Sequence, residues 1–126
     1  MRLFFVLLLS TMFVGCGYSS STMPAQPGTT PVIAQLQPNN AVHGGSAVPF
    51  EVDGTKFATN AGINFNGVAQ ATTWVSATKL TTTIQPASIM TAGTVPVTVT
   101  NPGTPGGTYG GGTAAVTSAP MNFTIN

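Results

Sequence analysis

The chain has 126 residues, room for one domain, and only five of them carry formal charge: Arg2, Glu51, Asp53, Lys56 and Lys79. So few cations cannot neutralise a row of phosphates, and no polybasic stretch exists for anionic lipid headgroups, so nucleic acid and charge-driven membrane binding are excluded as functions. Hydrophobic residues make up 42% of the chain, enough for a packed core despite the low charge. Glu and Lys, good helix formers, are nearly absent, while Thr and Val suit a pleated surface; the composition points to an all-β fold.

Arg2 opens the chain with a short positive region, and residues 3–14 are an unbroken, mostly apolar run. Such a run is shorter than the ~20 residues needed to cross a hydrocarbon core and fits a secretory signal. Gly15 then precedes Cys16, the only cysteine. Phe13-Val14-Gly15-Cys16 resembles the bacterial lipobox, with Phe13 where the box usually carries Leu. The resemblance implies cleavage before Cys16, diacylglycerol on its sulfur and acylation of the new amino group. Two or three acyl chains, at ~0.8 kcal/mol per methylene, make a stable membrane anchor. The expected location is the bacterial cell envelope. Gly17, which is not Asp, favours the outer membrane under the usual sorting pattern. With no second cysteine, the fold must stand on its core without a disulfide.

Residues 16–31 comprise the anchor cysteine and a flexible linker rich in Ser, Thr, Pro and Gly. From Val32 to Asn126 short strands alternate with turn signals. Val32-Ile33-Ala34-Gln35-Leu36 is a first strand, closed by Pro38-Asn39-Asn40. Val48, Phe50 and Val52 alternate with Pro49, Glu51 and Asp53, so one face is buried and the two acids share the wet face. Ile63 and Phe65 alternate before Asn66-Gly67, a strong hairpin signal. Leu80, Thr82 and Ile84, then Val95, Val97 and Val99, and finally Met121, Phe123 and Ile125 repeat the period of two. Phe50, Phe57, Phe65, Val97 and Phe123 are the expected core. Several short strands separated by turns, with no sustained helical period, predict a sandwich or barrel.

An ordered series of pieces within Pro38 to Asn126 resembles the IPT/TIG domain: Gly54-Thr55-Lys56-Phe57, Ile63-Asn64-Phe65-Asn66-Gly67, Thr72-Thr73-Trp74-Val75-Ser76, Lys79-Leu80-Thr81, Ile84-Gln85-Pro86-Ala87, Ala92-Gly93-Thr94, Val97-Thr98-Val99-Thr100-Asn101-Pro102-Gly103 and Phe123-Thr124-Ile125. The resemblance implies an immunoglobulin-like β-sandwich. Its expected boundaries are a signal peptide at 1–15, the anchor and linker at 16–31, and the domain at 32–126.

Catalytic machinery is not expected. His43, the sole histidine, lies in a Gly-rich turn with no positioned acid–base partner. One His, two acids and a lipidated Cys cannot assemble a metal site, and no cofactor is expected. The Gly-rich stretch 105–112 lacks the Lys and the following helix of a phosphate loop. Two aromatic residues stand out as candidate contacts. Trp74 could lie on a sheet as a sugar platform, though packing is its commoner use. Tyr109, flanked by Thr108 and Gly110, sits among glycines in the connector 104–120, which is expected to emerge as a mobile loop at one end of the sandwich. The expected function is therefore a non-catalytic surface binding or adhesion module for an extracellular protein or glycan. The alternative is a structural spacer or assembly subunit, since Thr-rich strands with few charges offer little protection against edge pairing.

Overall fold

The computed structural model describes residues 26–107 and 111–126. In chain order the strands are β1 (Gln26–Pro27), β2 (Val32–Gln37), β3 (Asn40–Ala41), β4 (Val48–Thr55), β5 (Gly62–Phe65), β6 (Val68–Ala69), β7 (Thr73–Ser76) and β8 (Lys79–Ile84). A 3-10 turn at Pro86–Ile89 leads to β9 (Gly93–Asn101), followed by β10 (Thr113–Ala114), β11 (Val116–Thr117) and β12 (Met121–Ile125). Two sheets face each other. One has the order β2-β4-β8-β7; the other runs β3-β12-β9-β5-β6, with β11 also paired to β9. Facing sheets built largely of antiparallel strands form the immunoglobulin-like β-sandwich that the resemblance implies.

The alternating segments place their apolar residues between the sheets. Phe50 and Val52 on β4, Leu80 and Ile84 on β8, Ile63 and Phe65 on β5, Val97 and Val99 on β9, and Phe123 on β12 are all buried. Phe57, just beyond β4, is buried too, so every expected core residue is inside. Phe50 from one sheet meets Phe65 and Phe123 from the other, edge to face, with centroids 6.3 and 5.5 Å away; Phe65 and Phe123 are 5.2 Å apart. Edge-to-face stacking puts the positive rim of one ring on the negative face of the next, and it locks the centre of the sandwich.

Strand β2 departs from strict alternation. Ile33 and Leu36 are both buried although three residues apart, because the ladder to β4 shifts register between Ile33 and Gln35. The bulge puts both side chains on one face. Asn66 and Gly67 have φ of 51° and 79°, and Phe65 pairs with Val68 across them. Positive φ at both central residues makes the two-residue turn that the Asn-Gly pair signals.

Gly54 has a different reason from the one its neighbours suggest. It lies inside β4 rather than at a turn, and a Cβ there would collide with the Val32 carbonyl oxygen and stand 2.6 Å from the Phe57 ring. Only glycine lets β2 and Phe57 close on β4. The left-handed turn comes two residues later, at Lys56, with φ 63°.

Two expectations about irregular segments are revised. The last residues of the linker lie against the domain: Gln26 and Pro27 pair in parallel with Thr113 and Ala114, and Pro31 is fully buried. The connector 104–120 is not a free loop over its described length. Thr104 and Thr113 bridge through both backbone hydrogen bonds, β11 extends the ladder on β9, and the buried Ser118 exchanges backbone and hydroxyl hydrogen bonds with Val99. β11 and β12 thus occupy one strand position beside β9, interrupted where Pro120 offers no N–H.

Candidate functional site

Cys16 and the group Thr108, Tyr109 and Gly110 lie outside the described residues. Trp74 sits on β7, the edge of the smaller sheet, and is 38% exposed. Its indole N–H donates to the Phe57 carbonyl at 3.3 Å, so the ring leans over the β4–β5 connection and keeps one side in solvent. Glu51 and Asp53 do share the outer face. Glu51 pairs with Lys79 at 3.1 Å, and Asp53 accepts from the Gln37 amide at 3.0 Å. His43 places Nδ1 2.6 Å from the Asn126 main-chain oxygen, and no Asp or Glu side chain is among its hydrogen-bond partners in the described residues. Among the described residues, no three His, Cys, Asp or Glu gather into a metal-binding group.

The two ends of the sandwich differ. Strand β9 runs between them, and eight steps of about 3.3 Å separate Gly93 from Asn101 by roughly 26 Å. At the Asn101 end a single buried side chain ties three segments together. Its carboxamide N–H groups donate to the carbonyls of Thr29 and Lys56 at 2.7 and 2.8 Å, and its Oδ1 accepts from the Ala58 N–H at 2.9 Å. Full use of a buried amide in this way removes the cost of burying it. This is the end where the chain enters the domain, and the 104–113 bridge lies beside it.

The Gly93 end carries the concave surface. A groove of about 470 Å³ opens between the Asn66-Gly67 hairpin and the segment that joins the 3-10 turn to β9. Phe65 and Ile125 form its buried floor, while Val68 and Met90, 62% and 64% exposed, stand on its rim. Its volume falls in the range of ligand pockets, about 300–1,000 Å³. A second recess of about 300 Å³ lies on the outer flank of the same end, lined by Asn39, Asn40, Asn122, Thr124 and Asn126. Thr94, which lines the groove, pairs across the ladder with Thr124, which lines the recess, so the two concavities adjoin. Among the described residues no Asp, Glu, Lys or Arg lines either one, and His43 bonds the main chain of Asn126 beside the recess.

The profile of the IPT/TIG domain matches residues 31–125. The chain belongs to the IPT/TIG family. No curated protein matches it. IPT/TIG domains are immunoglobulin-like modules, generally non-catalytic and often used in binding or adhesion. In this IPT/TIG domain the residues singled out in the sequence are dispersed. Trp74 lies on the smaller sheet, and the described parts of the 104–120 connector lie at the chain-entry end. The groove and the recess were not visible in the sequence, because they arise where the ends of strands distant in the chain converge. Asn101 did leave a signal. It continues the inward parity of Val95, Val97 and Val99, and an amide at an inward position must find partners inside.

Proposed function

We propose that this IPT/TIG domain is a non-catalytic binding module of the bacterial cell envelope, anchored by lipid on Cys16 and presenting its Gly93 end to an extracellular protein or glycan. One observation carries the reading: the chain enters at the Asn101 end, while the groove and recess lie roughly 26 Å away at the other end of β9. A module tethered at one end offers the opposite end to its surroundings. The signal-like residues 3–14 and the Phe13-Val14-Gly15-Cys16 box support the anchor, and the outer membrane is the favoured site under the sorting pattern. The ligand site proposed is at that far end; Thr108, Tyr109 and Gly110 lie outside the described residues. The test is metabolic labelling with a fatty acid and detergent phase partitioning. The wild-type chain should take up label and enter the detergent phase; the Cys16→Ser variant should do neither. Uptake and partitioning unchanged in that variant would refute the anchor.

A further inference from the structure

The amide recess and the groove beside it specify the chemistry of a partner. The four described charged side chains, Glu51, Asp53, Lys56 and Lys79, all belong to β4, its exit turn or β8, in the sheet opposite β9 and β12. The outer face around the recess carries hydroxyls and amides instead. Asn122 and Thr124 are exposed on β12, paired with Pro96 and Thr94, and Thr124 is also paired with Asn40. The Asn40 amide donates to Asn39 Oδ1 at 2.7 Å, and the Asn126 amide approaches Asn40 Oδ1 at 3.5 Å. Among the described residues these contacts leave donors and acceptors of the five side chains unpaired, and Asn122 and Thr124 make no side-chain hydrogen bond.

A carboxamide offers a donor and an acceptor side by side, the pattern that adjacent hydroxyls of a sugar answer. A sugar ring also has C–H faces, and the adjoining groove offers Val68 and Met90 as apolar rim. Among the described residues neither concavity is lined by Lys or Arg, so an anionic polymer would find no lysine or arginine there. We propose that the Asn39–Asn40–Asn122–Thr124–Asn126 recess binds a neutral polysaccharide, whose chain continues across the Thr94–Thr124 pair into the groove. The proposal rests on the Gly93 end being the presented end. Among the described residues no exposed aromatic ring lines either concavity, so each contact is weak and retention depends on many anchored copies acting together.

The experiment uses the full-length lipidated chain in liposomes, with immobilised neutral polysaccharides (amylose, laminarin, mannan, xylan, galactan) and the anionic polymers alginate and heparin. At least one neutral polymer should retain the liposomes and neither anionic one should. Asn122→Ala and Asn40→Ala should each reduce retention about tenfold, and Asn122→Asp should abolish it, while Thr83→Ala on the opposite sheet has no effect. Thermal melts of all four variants should match wild type, since these side chains are exposed. Retention by no neutral polymer, equal retention by the anionic ones, or retention that survives Asn122→Asp overturns the proposal. So does specific capture of a protein that Asn122→Asp leaves intact; that outcome would still be compatible with the anchored-module reading, which the Cys16→Ser partitioning tests separately.

Discussion

The Asn101 end and the Gly93 end of the sandwich are built from the same strands but solve different problems. At the Asn101 end backbone meets backbone. Gly54 lies under the Val32 carbonyl, the Asn101 amide holds Thr29, Lys56 and Ala58, and Pro31 is fully buried. Gly54 and Asn101 are each held to a narrow choice of side chain, one by space and the other by its three hydrogen bonds. At the Gly93 end strands finish in exposed side chains: Val68, Met90, Asn40, Asn122 and Thr124 make few demands on the fold. The first end is tightly constrained and receives the chain; at the second, exposed side chains can change at little cost to the fold. Binding residues concentrate where a rigid scaffold leaves side chains unemployed.

The comparison is open to test by substitution. The largest effect is expected at Gly54. Gly54→Ala forces a Cβ into the Val32 carbonyl and the Phe57 ring, which cannot both withdraw, so a loss on the order of 5 kcal/mol should leave the domain unfolded. Circular dichroism showing a native sandwich in that variant would break the account of the chain-entry end. Phe65→Ala should cost about 4 kcal/mol, through lost burial and the cavity left against Phe50 and Phe123, and should soften the floor of the groove. Urea midpoints measure it. Asn101→Ala should cost roughly 3 kcal/mol, because two carbonyls and one N–H lose their partner. An Asn101→Asp variant should be no better, since a carboxylate cannot donate to the Thr29 and Lys56 carbonyls. By contrast, Met90→Ala and Asn122→Ala at the far end should move stability by no more than about 0.5 kcal/mol. If Asn122→Ala destabilised as much as Asn101→Ala, the two ends would not differ as described.

Much of this fold was legible in the sequence because alternation is a physical signal. Where one face of a strand is buried, residues of one parity must be apolar, as Phe50 and Val52, Val97 and Val99, and Phe123 and Ile125 are. The Asn66-Gly67 turn was legible because few pairs tolerate positive φ twice. The bulge in β2 was not, because Ile33 and Leu36 break the period that would reveal them. The connector 104–120 read as a loop for its glycines, yet strands as short as Thr113–Ala114 and Val116–Thr117 carry too few residues for a period to show. The candidate site was hardly legible at all. Asn39, Asn40, Asn122, Thr124 and Asn126 come from two separated stretches and have no motif; pairing of β3 with β12 is what assembles them. Trp74 attracted notice as an aromatic, and its N–H bond to Phe57 gives it a packing role with one face still exposed.

The orientation of the sandwich on its anchor is the central claim, and distance from the bilayer tests it most directly. Full-length lipidated protein carrying a fluorophore on Thr91→Cys, at the groove, or on Pro105→Cys, near the chain-entry end, can be placed in liposomes whose headgroups bear an energy acceptor. The account predicts strong transfer from position 105 and much weaker transfer from position 91, a difference that reflects the roughly 26 Å span of β9. Equal transfer from the two positions, or stronger transfer from position 91, would contradict it.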